Sequence, residues 1–195
     1  YIQAYHACVS FIDAQLGLVI DSLKKQGLWD DTIIIFTSDH GYHLGDHFIW
    51  GKVTLFDVGA KVPFIVRAPG LSKSGTASEA MVELIDVYPT LADLAELKAP
   101  NHLQGISLRP LLGHPDRLGK RKYAYSVVTR GPKNLGYALR NQNWRYGKWP
   151  DGEELYNLRT DPQEKNNLAQ KDHLKERLED FRDILAEKQN LFEKN

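Results

Sequence analysis

Asp39 and His40 stand side by side in Ser38-Asp39-His40-Gly41, and together they are equipped to bind a divalent cation. The carboxylate supplies hard oxygen donors and the imidazole a nitrogen, a mixture suited to such an ion. The competing reading is an Asx-type turn that carries a surface histidine. His43, His47 and Lys52 follow in the next loop, and all three are of types that meet a charged substrate. His43 and His47 have the i, i+4 spacing of a helical zinc pair. Gly45 lies between them and no Glu adjoins His43, which argues against the metalloprotease arrangement. On chemistry alone Lys52 is either an ordinary surface lysine or a contact for a bound anion. Beside a cation it would be repelled unless an anion sat between the two. Cys8, the one cysteine, has no basic neighbour or Gly-rich turn beside it. It reads as a small, half-buried helix residue rather than a nucleophile.

The elements around these residues follow from hydrophobic pattern. Ile33-Ile34-Ile35-Phe36, within the strand expected over Thr32–Thr37, is an unbroken apolar run that ends where Ser38 begins the polar segment. Such a run fits a strand covered on both faces, as in a parallel sheet flanked by helices, and ligands of such sheets bind beyond the strands' carboxyl ends. Tyr1 to Lys25 carries apolar residues at Ile2, Tyr5, Val9, Ile12, Leu16, Val19, Ile20 and Leu23, the spacing of an amphipathic helix stopped by Gln26-Gly27. Val62 to Arg67 is a second apolar run, entered by Pro63 and left through Ala68-Pro69-Gly70. A short strand is expected over Ala80–Leu84, then a helix to Leu97 capped by Asp86, with Pro89-Thr90 in its first turn. Two or three parallel strands are too few to cover their own edges and faces. The missing neighbours are expected from sequence upstream of Tyr1 or from a partner chain.

From Lys98 to Asp116 the chain is punctuated by Pro and Gly and reads as a long connection with one short turn over Leu108–Leu112. Arg117, Lys120, Arg121 and Lys122 follow, a basic cluster that suits an anionic polysaccharide or, more simply, a solvated loop. Four short alternating runs come next: Tyr123–Val128, Gly136–Arg140, Trp144–Lys148 and Glu154–Leu158. They predict an antiparallel sheet. The final helix, Asp172–Phe192, offers Leu174, Leu178, Phe181, Ile184, Leu185 and Phe192 to that sheet. The fold class is therefore α/β: part of a parallel sheet flanked by helices, then a small antiparallel sheet with a packing helix. The division falls at residues 1–115 and 116–195.

The 25 Lys plus Arg balance 25 Asp plus Glu, so no global field selects nucleic acid or an anionic membrane. One cysteine excludes an internal disulfide and leaves the compartment undecided. No apolar run is read as approaching membrane-spanning length, and no signal-peptide pattern is read. Because the chain opens with Tyr1 inside an expected helix, it is expected to be cut from something longer.

Ser38-Asp39-His40-Gly41, Gly45-Asp46-His47 and Trp50-Gly51-Lys52 together resemble the second metal-binding segment of the sulfatases, closest to the iduronate-2-sulfatase-type branch. The likeness continues in Val62-Pro63-Phe64-Ile65, Asp86-Val87-Tyr88-Pro89-Thr90-Leu91 and Glu154-Leu155-Tyr156-Asn157-Leu158. It covers nearly the whole chain but the C-terminal half of a typical member. The resemblance implies a sulfuric ester hydrolase acting on a sulfated saccharide, located in the periplasm or outside the cell. It implies Asp39 and His40 as calcium ligands and Lys52 as a catalytic contact to sulfate; His43 and His47 are expected as substrate-binding residues from their types and place in the loop. The family's nucleophile is a formylglycine made within Cys- or Ser-x-Pro-x-Arg. Cys8 is not in such a motif, and no serine is. The chain alone is thus expected to be inactive and to need a missing N-terminal half or another copy of itself. Competing readings are a phosphonate or phosphodiester hydrolase of the same superfamily and a catalytically silent module.

Overall fold

The computed structural model describes residues 1–131 and 134–193, with side chains through residue 190. Helix α1 spans Ile2–Lys25 and ends where the Leu28 N–H bonds back to the Leu23 carbonyl, with Gly27 at φ +69°. Only glycine takes that backbone conformation without a Cβ penalty. A 3-10 turn over Trp29–Asp31 leads into β1, Ile34–Thr37. Arg67 secures this corner. Its guanidinium lies 4.0 Å from the Trp29 ring centre and donates to the carbonyls of Trp29 and Thr32 at 2.5 and 3.2 Å.

The sheet expectation is corrected here. β1 pairs antiparallel with β4, Phe64–Arg67, in the register Ile34↔Arg67 to Thr37↔Phe64. Among the described residues no parallel pair forms. The chain leaves β1 at Thr37 and re-enters β4 at Phe64 from the same end, with no crossover between them. A continuous apolar run marks cover on two faces; it does not encode strand direction. Nor are these strands covered, since Phe36 and Ile65 are both exposed. The expected strand over Ala80–Leu84 does not form either; a 3-10 turn covers Leu84–Asp86.

Between the paired strands lie a two-stranded ribbon, β2 (His43–Leu44) with β3 (Trp50–Gly51), and a single helical turn, α2 (Asp57–Ala60). Helix α3 runs Val87–Leu94, shorter than expected because Glu96 adopts φ +57° and turns the chain out. Asp86 does not cap α3 with its side chain. Its carboxylate instead accepts from the N–H groups of Glu83 and Ile106 and pairs with Arg121. Helix α4 is a short turn, Arg109–Gly113.

The C-terminal prediction holds closely. Strands β5 (Ala124–Thr129), β6 (Leu135–Arg140), β7 (Trp144–Trp149) and β8 (Gly152–Asn157) form an antiparallel meander in sequence order. A 3-10 turn over Asp172–Leu174 opens α5, Lys175–Glu193. Leu178, Phe181 and Leu185 recur at helical spacing on α5 and pack on Leu139, Tyr146 and Leu155 of the sheet, forming the one buried hydrophobic cluster of the described residues. The Phe192 side chain lies outside those described. By length and composition alone α1 is apolar enough to cross a membrane, which the sequence reading did not anticipate.

Candidate active-site segment

The polar segment begins where β1 ends. The Ser38 hydroxyl donates to the His40 carbonyl at 2.8 Å, and the His40 N–H donates to Asp39 Oδ1 at 3.0 Å. These bonds fold Asp39 and His40 onto one side of a tight turn, with His40 Nε2 3.5 Å from Asp39 Oδ2. His40 Nδ1 faces the Gly41 carbonyl at 2.8 Å. A carbonyl only accepts, so Nδ1 carries the hydrogen and a lone pair remains on Nε2. That is the tautomer a metal ligand requires, fixed by a backbone group in the way bound histidines are commonly oriented.

Lys52 reaches the same spot. The β2–β3 ribbon folds the chain back on itself, pairing His43 with Gly51, and this carries Lys52 toward His40. Its Nζ donates to His40 Nε2 at 3.0 Å. Asp39, His40 and Lys52 therefore form one cluster, and the Asp39 side chain is 83 % exposed. An ammonium on Nε2 and a cation on Nε2 exclude each other, so cation binding must turn Lys52 away, toward whatever anion the cation holds.

His43 and His47 take other partners, and burial keeps His43 from the substrate contact expected of it. His43 is fully buried, with Nδ1 3.1 Å from the Asp46 carbonyl and Nε2 2.6 Å from the Thr54 hydroxyl. Both ring nitrogens are used, so none is left for a ligand. His47 stacks on Phe56 with 3.7 Å between ring centres, at φ +54°. Burial, then the neighbouring His43, holds its pKa below the ordinary histidine range.

Residues that the sequence reading missed hold the segment in place. The Gly41 N–H donates to the Gly59 carbonyl at 2.9 Å. A Cβ on Gly41 would sit 2.0 Å from the Val58 carbonyl oxygen, so glycine is required here by close approach to α2. Helix α2 is itself tied to the C-terminal sheet. The Asp57 N–H donates to Glu164 at 2.6 Å, and the Asp57 carboxylate pairs with Arg140 of β6 at 3.2 Å. Arg145 of β7, 1 % exposed, pairs with Glu164 and with Glu154, and its guanidinium lies 4.9 Å from the Phe56 ring centre. Burial pushes the Glu164 carboxyl above its usual range, with Arg145 pulling it back down. Glu164 also holds φ +54°, an uncommon conformation for a residue with a Cβ. Asp57 and Glu164 are 107 residues apart, and no local pattern announces such a pair.

Asp39 offers carboxylate oxygens and His40 an oriented nitrogen, two donors of the types a divalent cation takes. Among the described residues no group of three or more His, Cys, Asp or Glu converges. Calcium takes about six to eight donors, so these residues make part of a site.

The sulfatase family model matches residues 1–97. A sulfatase from Formosa agariphila is 37% identical over 185 residues, covering 94% of this chain and 35% of the relative. The solved structure of BT4656 in complex with its substrate D-glucosamine-2-N,6-O-disulfate covers 96% of this chain and 40% of its own, at a TM-score of 0.89 and 30% identity. The phosphonate monoester hydrolase of Agrobacterium radiobacter superposes with a TM-score of 0.85, also at 30% identity, over 92% of this chain and 39% of its own. The chain thus spans little more than a third of the length of the proteins it matches.

Proposed function

The chain belongs to the sulfatase family, and on that premise we propose that Asp39, His40 and Lys52 form part of a site that hydrolyses a sulfate ester on a saccharide. The observation that carries this reading is their convergence, with His40 Nε2 3.5 Å from Asp39 and 3.0 Å from Lys52. Asp39 and His40 would hold calcium, which supplies fixed positive charge where sulfuryl oxygens gather negative charge. Lys52 would meet the same oxygens from the other side, and preorganised cations of this kind act strongly where water is scarce. A sulfated amino sugar is what the BT4656 structure holds, and the sugar proposed here is of that broad class. The iduronate-2-sulfatase likeness of the motif is retained as a narrower expectation.

The nucleophile expected in this family is formylglycine, and the 195 residues contain no Cys- or Ser-x-Pro-x-Arg motif to generate it. Cys8 lies exposed on α1. The proposal is accordingly that residues 1–115 act as part of a catalytic α/β domain and residues 116–195 as its C-terminal α+β subdomain. The remainder of a sulfatase-length protein, or a second copy, would cover α1 and the β1–β4 pair. Such an enzyme would work in the periplasm or outside the cell. The 195-residue chain alone is expected to turn nothing over.

The likeness to the phosphonate monoester hydrolase supports a second reading, because sulfate and phosphonate esters present similar oxyanions. One experiment separates the two. A protein of the relatives' length that carries this segment is assayed with an aryl sulfate and an aryl phosphonate in calcium buffer, with and without Lys52→Ala. Preference for the sulfate, and a loss of about a hundredfold or more in the variant, supports the sulfatase reading. Preference for the phosphonate supports the second. Near-normal turnover by Lys52→Ala returns Lys52 to an ordinary surface lysine.

A further inference from the structure

A groove of about 340 Å³ lies where the connection before β5 meets α5, and it is lined by Gln104, Ile106, Lys120, Arg121, Lys122, Tyr123 and Lys188. Four of the seven are cations in a chain whose charges otherwise balance, so the field here is local. Arg121 is the buried member, its side chain 9% exposed. Nη1 pairs with Glu83 at 2.8 Å and Nη2 with Asp86 at 2.5 Å, which aligns the guanidinium and leaves Nε buried without a hydrogen-bond partner among the described residues. A buried, unpaired donor on a charged group is costly, and native structures commonly resolve such a group with a ligand or water. The two carboxylates offset two of the four positive charges. Lys120, Lys122 and Lys188 form no ion pair among the described residues, and a net charge of about +2 faces the groove.

We propose that this groove binds an acidic group of a sulfated saccharide chain, with Lys120, Lys122 and Lys188 around the oxyanion and Arg121 at its floor. The lining favours a sugar over other polyanions. Gln104 offers an amide to hydroxyls, and Tyr123, half-buried against Phe181, offers a ring edge or face to the sugar itself. The volume falls at the small end of ligand sites, the size of a sugar unit rather than of a helical duplex. The choice of a sulfated sugar, as opposed to another oxyanion, rests on the function proposed above.

The test is calorimetric titration of the 195-residue chain with a sulfated oligosaccharide, its desulfated counterpart and inorganic sulfate. The variants are the Lys120→Ala/Lys122→Ala/Lys188→Ala triple, the corresponding triple Lys→Arg, and Lys52→Ala. Arg121 is left intact because it is built into the fold. The sulfated oligosaccharide should bind with an affinity that falls as salt rises, as displaced counterions require. The alanine triple should weaken it at least about tenfold, and the arginine triple should restore it. Unchanged binding by the alanine triple overturns the groove, and so does equal binding of the desulfated sugar. Binding lost in Lys52→Ala but kept in the triple would assign the saccharide to the Asp39 cluster alone. If the groove binds while the aryl sulfate assay fails, the proposed activity falls and an oxyanion site remains.

Discussion

Two helices of similar amphipathic pattern meet opposite fates in this molecule. Helix α5 lays Leu178, Phe181 and Leu185 on the meander and buries all three to 5% exposure or less. Helix α1 is more apolar, yet none of its residues is buried, and Phe11 and Leu18 stand 62% and 64% exposed. The difference lies in what each helix faces. The meander supplies Leu139, Tyr146 and Leu155 as a complementary surface. The β1–β4 pair is too small to supply one, and at the start of α1 the rings of Tyr1 and Tyr5 meet Trp50 and Tyr42. A hydrophobic face states that a helix wants a partner, and a different part of the chain must provide it. The Asp39 cluster sits at the junction, attached to β1 at one side and held from the meander through Arg140, Arg145 and Glu164 at the other.

The largest effect should separate the two helices. Phe181→Ala removes a buried ring and should cost about 3–5 kcal/mol in chemical denaturation. Phe11→Ala, at an exposed site, should cost within about 0.5 kcal/mol in the same 195-residue chain. Equal losses would mean that α1 is covered in solution, by self-association that light scattering would reveal.

The next effect sharpens the junction. Gly41→Ala sets a methyl against the Val58 carbonyl and should cost about 1–3 kcal/mol as overpacking does. Because Gly41 also holds His40 Nδ1, the variant should weaken metal binding more than a surface change of equal stability. An unperturbed Gly41→Ala would show that α2 does not brace the segment.

Legibility followed the same division. The meander and α5 were readable because alternating strands joined by short turns specify their own neighbours, and the helix period points its apolar face at them. The direction of β1 and β4 was not, because Ile33–Phe36 encodes burial and not pairing. The convergence of Asp39, His40 and Lys52 is legible from residue type and motif. The burial of His43 carries no sequence signal, because its partners, Thr54 and the Asp46 carbonyl, become neighbours only when the ribbon closes. Arg145 and Glu164 carry no sequence signal, since a buried pair looks like two ordinary charged residues until the chain is folded.

The smallest effect belongs to the meander. Arg182 beside Glu153, followed by Tyr146 and Lys148, holds the Glu153 carboxyl down at about 2, below its reference value of 4.5. A depressed carboxyl stabilises the fold above its unfolded pKa, and the contribution disappears as pH falls from about 4.5 through about 2. Arg182→Ala should therefore lower stability at pH 7 by about 1 kcal/mol, given the exposure of Arg182. The gap to the wild type should close across that acid window. A gap that persists at pH 2 would assign the loss to packing.

The central claim is that Asp39 and His40, and not His43 or His47, form the cation half-site. Histidine ring nitrogens of a 15N-labelled protein of the relatives' length that carries this segment can be followed by NMR during calcium titration. The account predicts that His40 Nε2 shifts progressively as Lys52 is displaced, while both nitrogens of His43 stay fixed. A response at His43 or His47 with His40 unmoved would contradict it.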